Sequence, residues 1–342
     1  MTLLKFPTAV AERELTDMLS VRRAANSKTE RKFIATYIDT LPGVERDGYG
    51  NRIVTIGGAK APPVLWTAHT DSVHSQGGTQ HTMRDGDMLR LHKHEKQSNC
   101  LGADDGTGVW LLRNMILRGV KGSYVFFREE ESGGRGSNWM VENHAEWLSE
   151  FQVAIALDRK GYSSVITHQG SRCASDTFAR SLAAQLGGDY VPDSTGIFTD
   201  TANMTHLIPE CSNLSIGYGG AHCSNEAQNI PFAIELLDKL CELDVSKLTV
   251  ERDPTKVEEV YDVRSKWSDY YGDYNGQELW DDVAYGYDTP SYSKSSHAEF
   301  HQILRIVELY PDEVADYLEQ SGITAEDLRR ALGIKQERKW RW

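Results

Sequence analysis

The sequence predicts an α/β protein with a mixed, mainly parallel sheet sandwiched by helices. Short apolar runs typical of buried strands alternate with segments of helical periodicity, and this alternation favours a largely parallel sheet. Three of the runs, residues 62–71, 123–127 and 153–158, end on or are soon followed by acidic or histidine side chains. Because open α/β sheets bind ligands at the carboxyl ends of their strands, one edge of the sheet is expected to carry the site.

Helices are predicted where apolar residues recur every three to four positions, and strands where short apolar or alternating runs are bounded by turn residues. The predicted helices cover residues 9–40 (two helices separated near 25–28), 105–119, 177–186 and 230–243. The remaining predicted strands cover 49–57 and 213–219, with a hairpin over 85–95.

The composition changes near residue 250, and this change predicts three regions. Residues 1–250 form the α/β domain that carries the chemistry. Residues 251–295, rich in tyrosine and aspartate, form a linker or arm with little apolar periodicity. Helical periodicity and helix-start signals return beyond it, so residues 296–342 form a small helical module. The whole extension 251–342 would contribute packing or solubility, or else cover the mouth of the active site or promote self-association.

The net charge argues against two classes of partner, and the cysteine content indicates the cellular compartment. The net charge is −13, whereas nucleic acids and anionic membranes attract basic surfaces, so neither is an expected partner. Neither a secretory signal nor an apolar run long enough to span a bilayer is recognisable. The five cysteines are an odd number without Cys-x-x-Cys spacing. They are expected to be reduced thiols in a cytoplasmic protein.

Acidic and histidine side chains cluster at the ends of the predicted strands. His69 and Asp71 end the run 62–71, and the adjacent Glu130 and Glu131 follow the run 123–127. A strand-end histidine paired with an aspartate is common, and a pair of glutamates can lie on a solvated loop. Each pair alone is therefore a weak signal.

Three further residues complete the pattern. Asp104 lies in the turn Gly-Ala-Asp-Asp-Gly, Asp158 ends the run 153–158, and His222 follows the strand predicted at 213–219. Taken singly, they fit a helix cap, an ion pair with Arg159 and a loop histidine. Their coincidence with the two pairs at strand ends predicts a cation site, because adjacent buried carboxylates need a positive charge.

The motifs resemble those of the co-catalytic zinc exopeptidases. TAHTD, LGADDGTGV, REEESGGRGS, ALD and NLSIGYGGAHCSNE occur in the order of that group, and the likeness covers residues 15–245. The group includes leucyl-type aminopeptidases, peptidase T-like tripeptidases and carboxypeptidase G-like enzymes. The segment EESGGRGS matches the family pattern EE-x-G-x-x-G-[SA], which selects Glu130 and Glu131 rather than Glu129.

This resemblance implies two metal ions and a role for each residue. One zinc would be held by His69 and Asp158, with Asp104 between the two ions. The other zinc would be held by Glu131 and His222. Imidazole and carboxylate ligands suit zinc, and Co²⁺ or Mn²⁺ could substitute.

The resemblance also implies two catalytic residues. Glu130 would take the proton of the attacking water and deliver it to the leaving amine. Asp71 would orient the imidazole of His69.

The resemblance implies an enzyme without the separate lid domain that some relatives carry. Such a domain would lie between His69 and Asp104, or between Asp158 and His222. These pairs are 35 and 64 positions apart, too few for a domain of ordinary size.

The predicted function is metal-dependent hydrolysis of peptide bonds, as in an aminopeptidase that acts on short peptides. One alternative is an N-acyl amino-acid amidohydrolase or carboxypeptidase with the same metals. An alternative of another class is a non-catalytic binding protein on a peptidase fold. The expected partner is a peptide or an N-acyl amino acid, and homo-oligomerisation is left open.

Four further residues could contact substrate. Tyr218 could stabilise an oxyanion, and Asp200 could receive a substrate amine or cap a helix. Arg159 or Lys160 could meet a substrate carboxylate, but a structural ion pair is favoured.

Overall fold

The computed structural model describes residues 8–58 and 62–256. Its strands are β1 Val21–Arg22, β2 Glu45–Arg46, β3 Arg52–Ile56, β4 Val64–His69, β5 Gly78–Thr79, β6 Thr82–Asp85, β7 Met88–Leu91, β8 Gly122–Phe127, β9 Val153–Arg159, β10 Ser164–Ile166, β11 His168–Gln169, β12 Ser171–Arg172, β13 Val191–Asp193, β14 Glu210–Ser215, β15 Tyr218–Gly219 and β16 Ala227–Asn229. Its α-helices are α1 Thr8–Leu19, α2 Lys28–Phe33, α3 Ala103–Leu117, α4 Arg135–Asn143, α5 Ala145–Leu148, α6 Asp176–Leu186 and α7 Ile230–Glu242. A π-helical turn covers Ile34–Ile38, and 3-10 helices cover Asp200–Met204 and Val245–Lys247.

An eight-stranded sheet forms the centre, in the order β13-β10-β14-β9-β4-β8-β3-β2. Its four middle strands, β14, β9, β4 and β8, are parallel neighbours. Antiparallel pairs join β10 to β14, β3 to β8 and β2 to β3. The predicted mixed sheet with a parallel centre is confirmed.

Helices cover this sheet. Every residue of β4 and β8 is buried, as expected of parallel strands that are covered on both faces. Helix α3 packs against β4 and β9, and helices α1 and α7 pack against α3. The 3-10 helix Asp200–Met204 contacts the same two strands and helix α4. The core therefore lies between the middle strands and two groups of helices.

The chain turns sharply between β14 and the hairpin β15–β16, where the sequence predicted one strand over 213–219. Strand β14 ends at Ser215, and Gly217 has a left-handed φ of +88°. A Cβ atom at Gly217 would lie 2.3 Å from the ring of Phe232. The turn therefore favours glycine both for its φ and for the close approach. It sends β15 into a second, four-stranded sheet with β16, β7 and β6.

The first residues of the predicted arm pack against the α/β unit. The backbone amides of Glu251 and Arg252 donate to the buried carboxylate of Glu210 at 2.8 and 3.0 Å. The guanidinium of Arg252 donates to backbone carbonyls between residues 205 and 209. The packed chain therefore continues past the expected boundary at residue 250. Most of the arm and all of the helical extension lie outside the described residues and stay predictions.

Among the described segments, no helix is long and apolar enough to cross a membrane.

Candidate metal centre

The parallel strands bring four of the predicted residues to one edge of the sheet. His69 is the last residue of β4, and Asp158 is the penultimate residue of β9. Glu130 and Glu131 follow β8 by three and four residues. Because β8, β4 and β9 are neighbours in that order, their carboxyl ends meet and these side chains converge.

Asp104 reaches the same place from an irregular turn at the start of α3. Gly102 precedes the helix with a left-handed φ of +74°, and Asp104 and Asp105 lack helical backbone angles. The peptide bond between these two aspartates is cis. The carboxylate of Asp105 accepts hydrogen bonds from the backbone amides of His69 and Gly108, both at 3.0 Å. These bonds fix the turn beside the end of β4.

Two groups of ligand atoms meet at Asp104. His69 Nε2 lies 3.1 Å from Asp104 Oδ1 and 3.5 Å from Asp158 Oδ1. His222 Nε2 lies 3.2 Å from Asp104 Oδ2 and 3.3 Å from Glu131 Oε1. Within each group the atoms lie within 4.8 Å of one another. The two oxygens of Asp104 therefore face different groups, one on each side of its carboxylate.

The two groups differ in their access to solvent. The side chain of His69 is 1% exposed, whereas that of His222 is 51% exposed. The group that contains His222 therefore opens towards solvent.

Asp71 and Glu130 lie beside the first group. The carboxylate of Asp71 accepts hydrogen bonds from the backbone amides of Glu130 and Glu131 at 3.1 and 3.2 Å. His69 Nδ1 lies 3.2 Å from the backbone oxygen of Asp71 and 3.6 Å from its Oδ1. Asp71 therefore contacts both the imidazole and the turn that carries the two glutamates. The carboxylate of Glu130 lies 4.0 Å from His69 Nε2.

Burial dominates the pKa of three acidic side chains at this centre. It raises the pKa of Glu130 well above its usual range, opposed by His69 and reinforced by the charge of Glu131. It also raises the pKa of Glu131 and of Asp158, and the charge of Asp104 adds to both shifts. The positive charge of the neighbouring side chains therefore does not offset the cost of ionising these three buried carboxylates.

The two histidines shift in the opposite direction. Hydrogen bonds with Asp104 and Glu131 raise the pKa of His222 to about 11. Burial opposes protonation of His69, but hydrogen bonds led by those to Asp104 and Asp158 raise its pKa well above the usual value. Burial likewise disfavours ionised Asp104, yet the same two histidines lower its pKa. The surrounding carboxylates therefore favour positive charge at both imidazoles.

The side chains present fit a pair of divalent cations. Four carboxylates and two imidazoles converge, and the buried Glu131 Oε1 lies 3.3 Å from His222 Nε2. Nitrogen and oxygen donors of this kind suit zinc, cobalt or manganese. A dication would also stabilise the ionised carboxylates that burial disfavours.

Tyr218 and Arg159, which the sequence suggests as possible substrate contacts, have mainly structural contacts. The hydroxyl of Tyr218 lies 3.0 Å from Asp104 Oδ2 and 2.8 Å from the backbone oxygen of Asp158. Its single proton is thus donated within the protein, which favours a positioning role over stabilisation of an oxyanion. Arg159 donates to the hydroxyl of Thr195 at 2.8 Å, and its guanidinium lies 3.9 Å from Asp193.

Asp200 begins a 3-10 helix over β4 and β9 and is 1% exposed, and its contact with a substrate amine stays a prediction.

Sequence reasoning missed Glu226, which holds the Asp104 turn. The carboxylate of this fully buried residue accepts hydrogen bonds from the backbone amides of Gly102 and Asp104. In the sequence it is the fourth residue after His222 and resembles a polar loop residue. Its contacts lie about 120 positions away, so local pattern could not reveal them.

The fold is similar to that of aminopeptidases. The solved structure of aminopeptidase PepT from Bacillus cereus matches with a TM-score of 0.56 at 12% identity, covering 69% of this chain and 97% of that chain. A tripeptidase from Staphylococcus aureus matches with a TM-score of 0.57 at 14% identity, covering 69% and 97%. An aminopeptidase from the archaeon Desulfurococcus kamchatkensis matches with a TM-score of 0.50 at 13% identity, covering 72% and 96%.

No family model matches the chain, and no curated protein matches it. At these identities the likeness concerns the fold. The predicted resemblance to exopeptidases is therefore supported at that level.

Proposed function

We propose that the protein is a dinuclear metal-dependent hydrolase that removes the N-terminal residue from short peptides. The observation that carries the proposal is the position of Asp104. Its two carboxylate oxygens face different pairs of side chains, each with one imidazole and one further carboxylate. A carboxylate shared in this way suits two cations a few ångströms apart.

The residues divide into two sets. His69 and Asp158 would hold one ion, Glu131 and His222 the other, and Asp104 both. When bound, a pair of divalent cations would polarise the scissile carbonyl group of the peptide and lower the pKa of the attacking water. We favour zinc, and cobalt or manganese would fit the same donors.

Glu130 acts as the proton carrier. Its carboxylate takes a proton from the attacking water and delivers it to the nitrogen of the leaving amine, so that no net proton is gained by the enzyme. The hydrogen bond from its backbone amide to Asp71 fixes the turn from which the side chain projects. Asp71 thus positions both Glu130 and the imidazole of His69.

A second candidate is an N-acyl amino-acid amidohydrolase or carboxypeptidase, which would use the same centre with a different pocket. Three solved structures of similar fold, with TM-scores of 0.50 to 0.57, are two aminopeptidases and a tripeptidase, which favours the first candidate. A non-catalytic binding protein would not require Glu130 beside a complete set of donors. A cytoplasmic location and self-association accompany the proposal as predictions.

The test compares zinc-loaded wild type with Glu130→Gln on aminoacyl anilides, short peptides and N-acetyl amino acids. Wild type is expected to release the N-terminal residue. Glu130→Gln is expected to keep its zinc and to lose about 10²–10⁴-fold in kcat, the usual contribution of a positioned acid–base group.

Glu129→Gln is the matched control, because Glu129 is adjacent and buried but pairs with Arg135 at 3.4 Å. It should retain turnover. If Glu130→Gln is as active as wild type, the role of Glu130 is wrong. Turnover of N-acetyl amino acids alone supports the second candidate, and no turnover of any substrate refutes both.

A further inference from the structure

The hairpin β15–β16 makes three separate contacts with the Asp104 turn. Tyr218 in β15 places its hydroxyl 3.0 Å from Asp104 Oδ2. The loop between the strands carries His222, whose Nε2 lies 3.2 Å from the same oxygen. Glu226, directly before β16, accepts a hydrogen bond from the backbone amide of Asp104 at 3.0 Å. One hairpin therefore contacts Asp104 at its carboxylate and at its backbone.

Both oxygens of Glu226 are used by this turn. Oε2 accepts from the amide of Gly102 at 2.8 Å, and Oε1 accepts from the amide of Asp104. On the other side, the buried guanidinium of Arg23 donates to the backbone oxygen of Gly102 at 2.8 Å. The peptide groups of Gly102 are thus held between a buried anion and a buried cation. Hydrogen bonds to charged groups are about twice as strong as those between neutral groups.

The next inward-facing residue of β16 extends the contact. Gln228 lies two residues after Glu226, so both side chains point to the same face of the strand. Its Oε1 accepts from the hydroxyl of Thr107 at 2.7 Å, one turn further along α3. Both side chains are completely buried. Strand β16 therefore fixes the start of α3 at two successive points.

We propose that Glu226 is a positioning residue of the metal centre, which sets Asp104 relative to His222. Its carboxylate accepts a hydrogen bond from the backbone amide of Asp104, and in the same hairpin it follows His222 by four residues. The inference rests on the proposed function, because it assumes that Asp104 is shared by two cations. Since Asp104 would be a ligand of both ions, its displacement lowers the metal affinity of both sites.

A glutamine at this position cannot reproduce the geometry. Its amide group has one acceptor oxygen, and its NH₂ group would face a backbone N–H that also donates. One of the two amides would lose its acceptor, and the turn would relax. Partners that orient metal ligands typically contribute 10–100-fold in metal affinity.

The experiment measures zinc binding to wild type, Glu226→Gln and Glu210→Gln by competition with a chromophoric chelator. Glu210 is a matched control, since it is a fully buried carboxylate that accepts from the backbone amides of Ser175, Glu251 and Arg252. Glu210 is the first residue of β14, whereas the metal centre lies at the carboxyl ends of the parallel strands. Thermal unfolding of each metal-free protein is measured in parallel.

The expected result is a 10–100-fold rise in Kd for both zinc equivalents in Glu226→Gln, with wild-type affinity in Glu210→Gln. Excess zinc should restore most of kcat, and KM for the peptide should stay unchanged. A merely structural role would lower the unfolding temperature of both variants without separating their zinc affinities.

Zinc affinity within threefold of wild type in Glu226→Gln overturns the inference. Glu226→Asp is the second variant, because it keeps the charge but its shorter side chain cannot reach both amides. If both variants fail to fold, Glu226 is structural and the inference is wrong. If wild type binds two zinc ions but cleaves no peptide, the proposed function fails while the zinc affinities still decide the role of Glu226.

Discussion

His74 provides a prediction about stability that does not depend on the metal centre. The imidazole is 4% exposed, and its Nδ1 accepts hydrogen bonds from the backbone amide of Arg23 and from the hydroxyl of Ser72. Its Nε2 lies 3.1 Å from Gln80 Oε1 and 3.2 Å from the backbone oxygen of Cys100, both acceptors. The ring is therefore neutral with its proton on Nε2, and a second proton has no acceptor.

Burial lowers the pKa of His74 from 6.5 to about 4, and the positive charges of Arg23 and Arg22 add to this effect. Between about pH 4 and pH 6.5, the unfolded chain therefore binds more protons than the native protein. Stability from this residue is therefore fully present above about pH 6.5 and is lost as the pH falls towards 4. The loss is about 2 kcal/mol at pH 5 and about 3 kcal/mol in total.

The assay is urea unfolding followed by tryptophan fluorescence, in the presence of a chelator, at pH 7 and pH 5. His74→Gln should lose about 2 kcal/mol less than wild type between these pH values, because it lacks the group that titrates. Titration of the empty metal centre occurs in both proteins and cancels in the comparison. His206→Gln, at an exposed histidine, is the control and should follow wild type. Equal losses in wild type and His74→Gln would refute the reasoning.

Two further predictions concern positioning and the end of the packed chain. In Asp71→Asn, an NH₂ group replaces one of the two oxygens that accept hydrogen bonds from the backbone amides of Glu130 and Glu131. One hydrogen bond to a charged group contributes about 2 kcal/mol. At saturating zinc, kcat/KM should fall roughly 30-fold, and a change below threefold would contradict the assigned role. Arg252→Ala removes the guanidinium bonds to three backbone carbonyls, so the free energy of unfolding should fall by roughly 2–3 kcal/mol while kcat is retained. Wild-type stability in that variant would show that residue 252 is not part of the packed unit.

The strands that lead to the centre are predictable because buried parallel strands are unbroken apolar runs. The runs at 62–71, 123–127 and 153–158 correspond to β4, β8 and β9, and polar side chains lie at or soon after their ends. Their parallel pairing explains why residues far apart in sequence meet. The roles of His69 and Asp158 as ligands stay predictions, although their side chains lie together.

The sequence predicts a helix from residue 105, and regular helical backbone begins directly after Asp105. The turn before it could not be predicted from local sequence, because Asp104 and Asp105 are held out of helical geometry by partners distant in sequence. Helix α4, Arg135–Asn143, was also missed. It follows directly on a glycine-rich turn, and only one of its larger apolar residues is fully buried, so its periodicity is weak.

The most direct test of the central claim is anomalous diffraction from crystals of the zinc-loaded protein. Two zinc peaks are expected, roughly 3.5–4 Å apart, with Asp104 contacting both. One peak should lie against His69 and Asp158, and the other against Glu131 and His222. Peaks elsewhere, or a single peak after loading with excess zinc, would contradict a dinuclear centre at this edge of the sheet.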